Sequence, residues 1–295
     1  MSAGAQLALQ NLLNGLLLGG TYAMVAVGFS LVWGVLNIVN LAHGALVMLG
    51  AYVTYWLFTV YHVDPLLSLP LTAGALFVLG YVLQRFVINQ VIRASFLITF
   101  LLTFGLELVI TNVALAAWTA DVRSVTTAYS GLALSVGPLV LPAVRIAGLG
   151  VAVVVTALLH LLMTRTRLGS AIRATASDGE AARLMGIPIA HVYAVTFAIA
   201  AATAGVAGTL ISVSFPIFPA MGAGYTLVGF VVCVLGGLGS VTGALLGGLV
   251  FGLLQTYAAA WWGPNFDNIV AFGVLIAVLL VRPAGLLGRA YRFRG

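Results

Sequence analysis

Six of the eighteen charged residues in this 295-residue chain, Arg165, Arg167, Arg173, Asp178, Glu180 and Arg183, fall within nineteen positions. No nucleophile–base constellation accompanies them, so the chemistry on offer is electrostatic contact, not bond-making. A second group, Asn37, Asn40, His43 and Gly44, is polar and neutral. Its spacings of three and four place Asn37, Asn40 and Gly44 near one helical face, with His43 adjacent. Amides and an imidazole can hydrogen-bond a zwitterionic or amide solute without trapping it. They can equally bond neighbouring helices together, with Gly44 allowing close approach. The third candidate is Glu107, which recurs with Thr99, Thr103 and Thr111 every four residues as a slowly winding polar stripe. A carboxylate at mid-membrane costs on the order of 2.5–3.5 kcal/mol, so it must face protein or water. Two readings stand: Thr103 and Glu107 line a pathway, or they sit in a seam between helices with Glu107 protonated or paired to an arginine. His62, His160 and His191 have no partner at metal-ligand spacing, and no metal site is expected.

The elements that hold these residues follow from composition. The chain is 62% hydrophobic and 6% charged, with a mean hydropathy of +1.18. Soluble domains carry roughly 25% charged residues. The expected fold is an all-α, polytopic transmembrane helix bundle, one domain over 1–295, with about eight spans at about 20 residues each. Apolar stretches run near 9–33, 38–60, 66–88, 96–118, 146–163, 193–213, 224–260 and 268–281. The 224–260 stretch is too long for one pass, and Gly236, Gly237, Gly239 and Ser240 predict a break or a re-entrant pair there. The 9–60 region reads either as two passes or as one broken, partly re-entrant arrangement. Gly44-Ala45-Leu46 and Gly243-Ala244-Leu245 each follow a break-rich stretch, a pattern that suggests an inverted repeat.

Ten of the twelve arginines, including Arg85, Arg93, the 165–183 group, Arg282, Arg289, Arg292 and Arg294, fall on one side if spans alternate from residue 66. The positive-inside rule makes that side cytoplasmic and places the C-terminus there. Arg123, Arg145 and Asp121 then lie in an external loop, and Trp261 and Trp262 suit an external interface. The chain has no lysine, which excludes a P-loop. Arginines set between apolar segments point to membrane lipid, not nucleic acid. Cys233 is the sole cysteine, so no internal disulfide forms. No basic n-region precedes a short apolar core, so no cleaved signal peptide is expected.

Within the 164–192 loop, Asp178 and Glu180 precede Ala181 and Ala182, as acidic residues do at a helix start. Gly186-Ile187-Pro188 then ends the helix, which is expected to run two or three turns outside the bilayer. Small alanines on one side suit docking into another protein; a solvated loop is the plainer reading.

These residues carry a resemblance. Glu180-Ala181-Ala182 with Gly186, preceded by R-A-T-A-S-D at 173–178, resembles the EAA loop of bacterial ABC importer permeases. The stretches G-T-Y-A-M-V-A-V-G-F-S-L-V-W-G-V-L-N-I-V-N-L-A-H-G-A-L-V-M-L-G-A-Y at 20–52, V-L-G-G-L-G-S-V-T-G-A-L-L-G at 234–247 and V-R-P-A-G-L-L-G at 281–288 are similar to the branched-chain amino-acid ABC transporter permease family, LivH type. Proline comes early here, at Pro188, where the usual motif continues to a later leucine-proline. The resemblance implies a permease in the bacterial inner membrane that performs no covalent chemistry and binds no cofactor. ATP and magnesium would sit on two cytoplasmic ATPase subunits, coupled through Arg173, Asp178, Glu180, Ala181, Ala182 and Gly186. It also implies an extracytoplasmic substrate-binding protein and a second permease of the LivM type, making a heterodimer. Relatives with this signature are associated with branched-chain and other amino acids, urea and short amides. A self-contained secondary transporter or channel, with Glu107 as its coupling site, is the competing reading.

Overall fold

A computed structural model describes residues 3–92, 94–263, 266–282 and 285–287. The helices in chain order are α1 (Ala3–Leu36), α2 (His43–Tyr61), α3 (Pro65–Leu83), α4 (Asn89–Val91), α5 (Phe96–Trp118), α6 (Ala143–Arg165), α7 (Arg167–Ser177), α8 (Gly179–Leu184), α9 (Ile189–Ser214), α10 (Met221–Gly236), α11 (Val241–Trp262) and α12 (Asp267–Val281). A π-helical turn, Gln84–Ile88, joins α3 to α4. A hairpin of β1 (Ala133–Val136) and β2 (Leu139–Pro142) precedes α6. Among the described residues, seven helical segments are long and apolar enough to cross a membrane, and 221–236 and 272–281 are shorter apolar helices. The chain is thus a polytopic, all-α membrane bundle. Arg93, Arg289, Arg292 and Arg294, used above to orient it, lie outside the described residues.

The 9–60 region is one unbroken helix, α1, then a non-helical stretch at 37–42, then α2. At a rise of 1.5 Å per residue the 34 residues of α1 span about 51 Å, well over a hydrocarbon core of about 30 Å. Its two ends mark the two ends of the bundle. Near the start, Gln6 and Gln10 donate to the carbonyls of Pro138 and Val140 in the hairpin, at 3.0 and 2.7 Å. Near the finish, Gly34 and Val35 share a cavity with Arg173 and Ser177 of α7. One end therefore carries the hairpin and the other the charged loop. Helix α9 runs the opposite way, starting beside α8 and ending where Ile217 pairs with Arg123.

This antiparallel pair organises the bundle. Helix α1 lies along α11 as α9 lies along α3; α1 touches α10 as α9 touches α2; and α2 meets α10. The units α1–α2–α3 and α9–α10–α11 are thus related by inversion. The glycine echo noted in the sequence does not mark this repeat: Gly44 opens α2 but Gly243 opens α11, the counterpart of α3. Close approach is literal at the α1–α11 seam, where a Cβ on Gly19 would lie 2.7 Å from the Gly248 carbonyl oxygen. At the α9–α3 seam, a Cβ on Gly205 would lie 3.1 Å from the Thr72 carbonyl oxygen. A hydroxyl cluster adds polar ties, with Thr54 Oγ1 2.8 Å from Thr209 Oγ1 and 3.3 Å from Thr72 Oγ1. The core is filled by α1, α2 and α9. Helix α5 is peripheral, burying only Thr99, Thr103 and Ala114.

Candidate functional site

Both halves of the repeat are interrupted, α1 at the charged-loop end and α9 at the hairpin end, and the next helix of each half starts inside the bundle. Helix α1 ends at Asn37, whose φ of 55° turns the chain out of the helix, and residues 38–42 lead back into the bundle. Helix α2 then begins beside the middle of α9: a Cβ on Gly28 would lie 2.8 Å from the Ala200 carbonyl oxygen and 2.9 Å from His43 Cε1. In the second half, α9 ends at Ser214, residues 215–220 return inward, and α10 starts against α2. There a Cβ on Gly222 would lie 2.9 Å from the Gly44 carbonyl oxygen. The N-termini of two helices, each a positive dipole end, thus meet at mid-height. Broken helices facing each other across an inverted repeat are a recurring arrangement in transporters.

The neutral polar group sits in this junction, but not on one helical face. Asn37 is the exposed end of α1, Asn40 lies in the non-helical stretch, and His43 and Gly44 open α2. The expected shared face fails because the helix stops before it reaches Asn40. His43 is fully buried, and its Nε2 lies 2.9 Å from the Val25 carbonyl oxygen, so that nitrogen carries the proton and donates. Gly44 N donates to Thr226 Oγ1 at 2.9 Å, and Thr226 Oγ1 donates to the Leu41 carbonyl at 3.1 Å. Thr103 Oγ1 donates to the Val39 carbonyl at 3.0 Å. His43, Gly44 and Thr103 thus fasten the interruption to α1, α10 and α5. Asn40 is 2% exposed, and among the described residues neither polar atom of its side-chain amide has a partner. Glu107 is half-buried on α5 and accepts from Thr111 Oγ1 at 3.3 Å; among the described residues it pairs with no arginine.

At the opposite end of α10, Gly236 closes the helix, Gly237 and Gly239 take φ of 107° and 81°, and Ser240 Oγ caps α11 by accepting from Gly243 N at 3.0 Å. This break abuts the charged loop. A cavity of about 260 Å³ is lined by Gly34, Met163, Arg173, Ser177 and Gly239 among others.

The loop itself contains two helices, where one of two or three turns was expected. Helix α7 spans eleven residues, capped by Thr166 Oγ1 accepting from Gly169 N at 3.0 Å. Asp178 ends α7 and begins α8, its Oδ1 accepting from Ala181 N at 3.0 Å. Asp178 shortens α8 to six residues because its extended backbone breaks the helix that precedes it. Gly186, at φ 81°, turns the chain out, with its N–H donating to the Arg183 carbonyl at 3.0 Å. Arg173, Glu180 and Ala181 are exposed, whereas Ala182 is buried within the chain. The residues that project furthest are ones the motif did not indicate. Leu184 is 89% exposed and Met185 83%.

Comparison with known proteins gives a consistent result. The family described as branched-chain amino acid transport system / permease component matches residues 11–279. The chain is similar to the high-affinity branched-chain amino acid transport system permease protein BraD of Pseudomonas aeruginosa, at 34% identity over 95% of this chain and 96% of that one. It is similar to the LivH protein of the same description from Escherichia coli K12, at 33% identity over 95% and 96%. A probable LivH of Methanocaldococcus jannaschii matches at 28% over 90% and 88%. No solved structure matches significantly.

Proposed function

Because the chain belongs to the branched-chain amino acid transport system permease component family, we propose that it forms one membrane half of an importer driven by ATPase subunits at its charged end. As a family member it is a multi-pass transport permease and not an enzyme, and the reading as a self-contained carrier has no support from its relatives. The finer assignments are ours. The end bearing α7 and α8 faces the cytoplasm, in keeping with its arginines and the positive-inside rule. Two ATPase subunits bind there; a second, related permease packs against the exposed apolar surface of α5; and an extracytoplasmic binding protein delivers substrate at the hairpin end. The substrate is a branched-chain amino acid, by likeness to what the names of BraD and LivH state.

The observation that carries this reading is the tip of α8. Leu184 and Met185 project at the charged end, beside the exposed Glu180 and Arg183. Two adjacent large apolar side chains held out in water by a capped helix and a glycine turn suit a hydrophobic groove on a soluble partner. Motion of such a partner has a short route inward. Helix α7 shares the Arg173 cavity with the end of α1 and with the 236–240 break, so a shift of α7–α8 bears on the base of α10. The top of α10 meets α2 at the central junction, near Asn40. Transport would then consist of ATPase closure moving α8, α10 and the junction relative to α5, which carries the half-buried Glu107. No bond is made or broken in this chain.

The test is uptake of leucine by reconstituted full complexes in which Leu184 and Met185 are both replaced by Asp. Uptake is expected to fall to background while the permease itself remains folded and membrane-inserted. Undiminished ATP-driven uptake in that double variant would overturn the docking role.

A further inference from the structure

At the hairpin end, Arg123 is a charged group that the coupling scheme leaves without a task. Its backbone is fixed: Arg123 N donates to the Ile217 carbonyl at 2.9 Å, and Ile217 N donates back at 2.8 Å. The loop is thereby pinned to the 215–220 stretch that leads inward to the start of α10. The guanidinium carbon lies 5.3 Å from the ring centroids of both Tyr55 and Trp56, in cation–π range. One of its nitrogens, Nη2, donates to the Trp118 carbonyl at 2.9 Å. The Trp118 ring in turn stacks on Tyr52, 4.2 Å between centroids and 13° from parallel.

What this cluster lacks is an acceptor. A guanidinium has five N–H donors, and Arg123 spends them on one carbonyl and two ring faces. Among the described residues it forms no ion pair; nearby Asp121 accepts from Thr119 instead. Among the described residues, Trp56 Nε1 and the Tyr52 hydroxyl are both buried with no hydrogen-bond partner, and Tyr52 is fully buried. Tyr52, Tyr55 and Trp56 share one face of α2, three and four residues apart. A half-buried cation, an indole N–H and a hydroxyl beside aromatic rings match an anion that accepts several hydrogen bonds and carries an apolar portion.

We propose that Arg123, Trp56 and Tyr52 form a carboxylate-binding site at the hairpin end of the bundle, at the mouth of the 215–220 stretch. The guanidinium and the indole N–H donate to the carboxylate oxygens, and the rings of Tyr55 and Trp118 take up apolar surface beside them. The carboxylate has two sources: the α-carboxylate of a free amino acid in transit, or an acidic side chain of a protein docked at this end. The identity of that solute and that protein rests on the transport reading above; the site itself does not.

The experiment uses the full chain in lipid nanodiscs, reading intrinsic tryptophan fluorescence while L-leucine or L-leucinamide is added. A free amino acid as the source predicts a saturable response to leucine and none to leucinamide. The midpoint should weaken about tenfold or more in Arg123→Gln and less in Arg123→Lys, the charge-assisted bonds being what is lost. Tyr52→Phe, which keeps the stack on Trp118, should weaken it without altering the fold. A docked acidic side chain as the source predicts no leucine response, but a weaker association of the substrate-binding protein with the assembled importer in Arg123→Gln and Tyr52→Phe. No leucine response, together with unchanged binding-protein association in both variants, would overturn the site. Loss of uptake in the Leu184 and Met185 variants bears on the coupling reading alone, so the two failures are separable.

Discussion

Thr226 is the residue on which most converges at the central junction. One hydroxyl accepts from the first turn of α2 and donates to the chain just before it, so a single side chain on α10 fixes both sides of the interruption. Replacing Thr226 with Val leaves a buried N–H and a part-buried carbonyl without this partner, at about 1–3 kcal/mol. A lower melting temperature in detergent is expected for Thr226→Val and near-recovery for Thr226→Ser; equal melting of the two would refute the role. At the hairpin end, Tyr129 donates to Asp64 Oδ1 at 3.0 Å, and that carboxylate also accepts from Leu66 N to cap α3. Burial, and then the bond to Asp64, push the Tyr129 hydroxyl up to about 12. A folded value above the unfolded one, about 10, means the stabilisation is complete below pH 10 and is lost between 10 and 12 as the phenol ionises. Ultraviolet titration should therefore show a late phase of tyrosine ionisation whose amplitude falls by one tyrosine in Tyr129→Phe.

Elements were legible in the sequence to the extent that hydropathy defines them. Helix α5 fills 96–118, the bounds its apolar run suggests, and the 236–240 break is announced by three glycines and a serine. The interruption at 37–42 was legible only as one of two readings of 9–60, because Ile38, Val39 and Leu41 are as apolar as any helix here. What releases that stretch from helix is remote: carbonyls of Val39 and Leu41 are satisfied by Thr103 and Thr226, 64 and 185 residues away. The charged loop was visible as charge, but Leu184 and Met185 were not. Two apolar residues carry no signal in a chain that is 62% hydrophobic until the structure shows them outside the bundle. The element-level prediction concerns the contact between α2 and α10. A Cβ on Gly44 would collide with the Gly222 carbonyl and lie 2.7 Å from Thr226 N, backbone that cannot move aside. Gly44→Ala is expected to destabilise by about 1–3 kcal/mol through overpacking, and to impair uptake. Gly74→Ala, on the open side of α3 with nothing within 4 Å, should change neither.

At the scale of the whole molecule, two inverted units share a junction at mid-height, and each end of the bundle offers a different surface. One end presents the hairpin and aromatic-flanked Arg123; the other presents a capped helix whose apolar tip is left exposed by the described residues. The proposed joint between this tip and an ATPase can be read out by cross-linking. The sole cysteine, Cys233, is fully buried and gives little background, so Leu184→Cys introduces a single reactive thiol at the α8 tip. With a bismaleimide and full complexes in membranes, the expected product is a permease–ATPase adduct, formed from Leu184→Cys and not from a cysteine placed at Leu134 on the hairpin. Free modification of that thiol in assembled complexes, with no ATPase adduct, would contradict the claim.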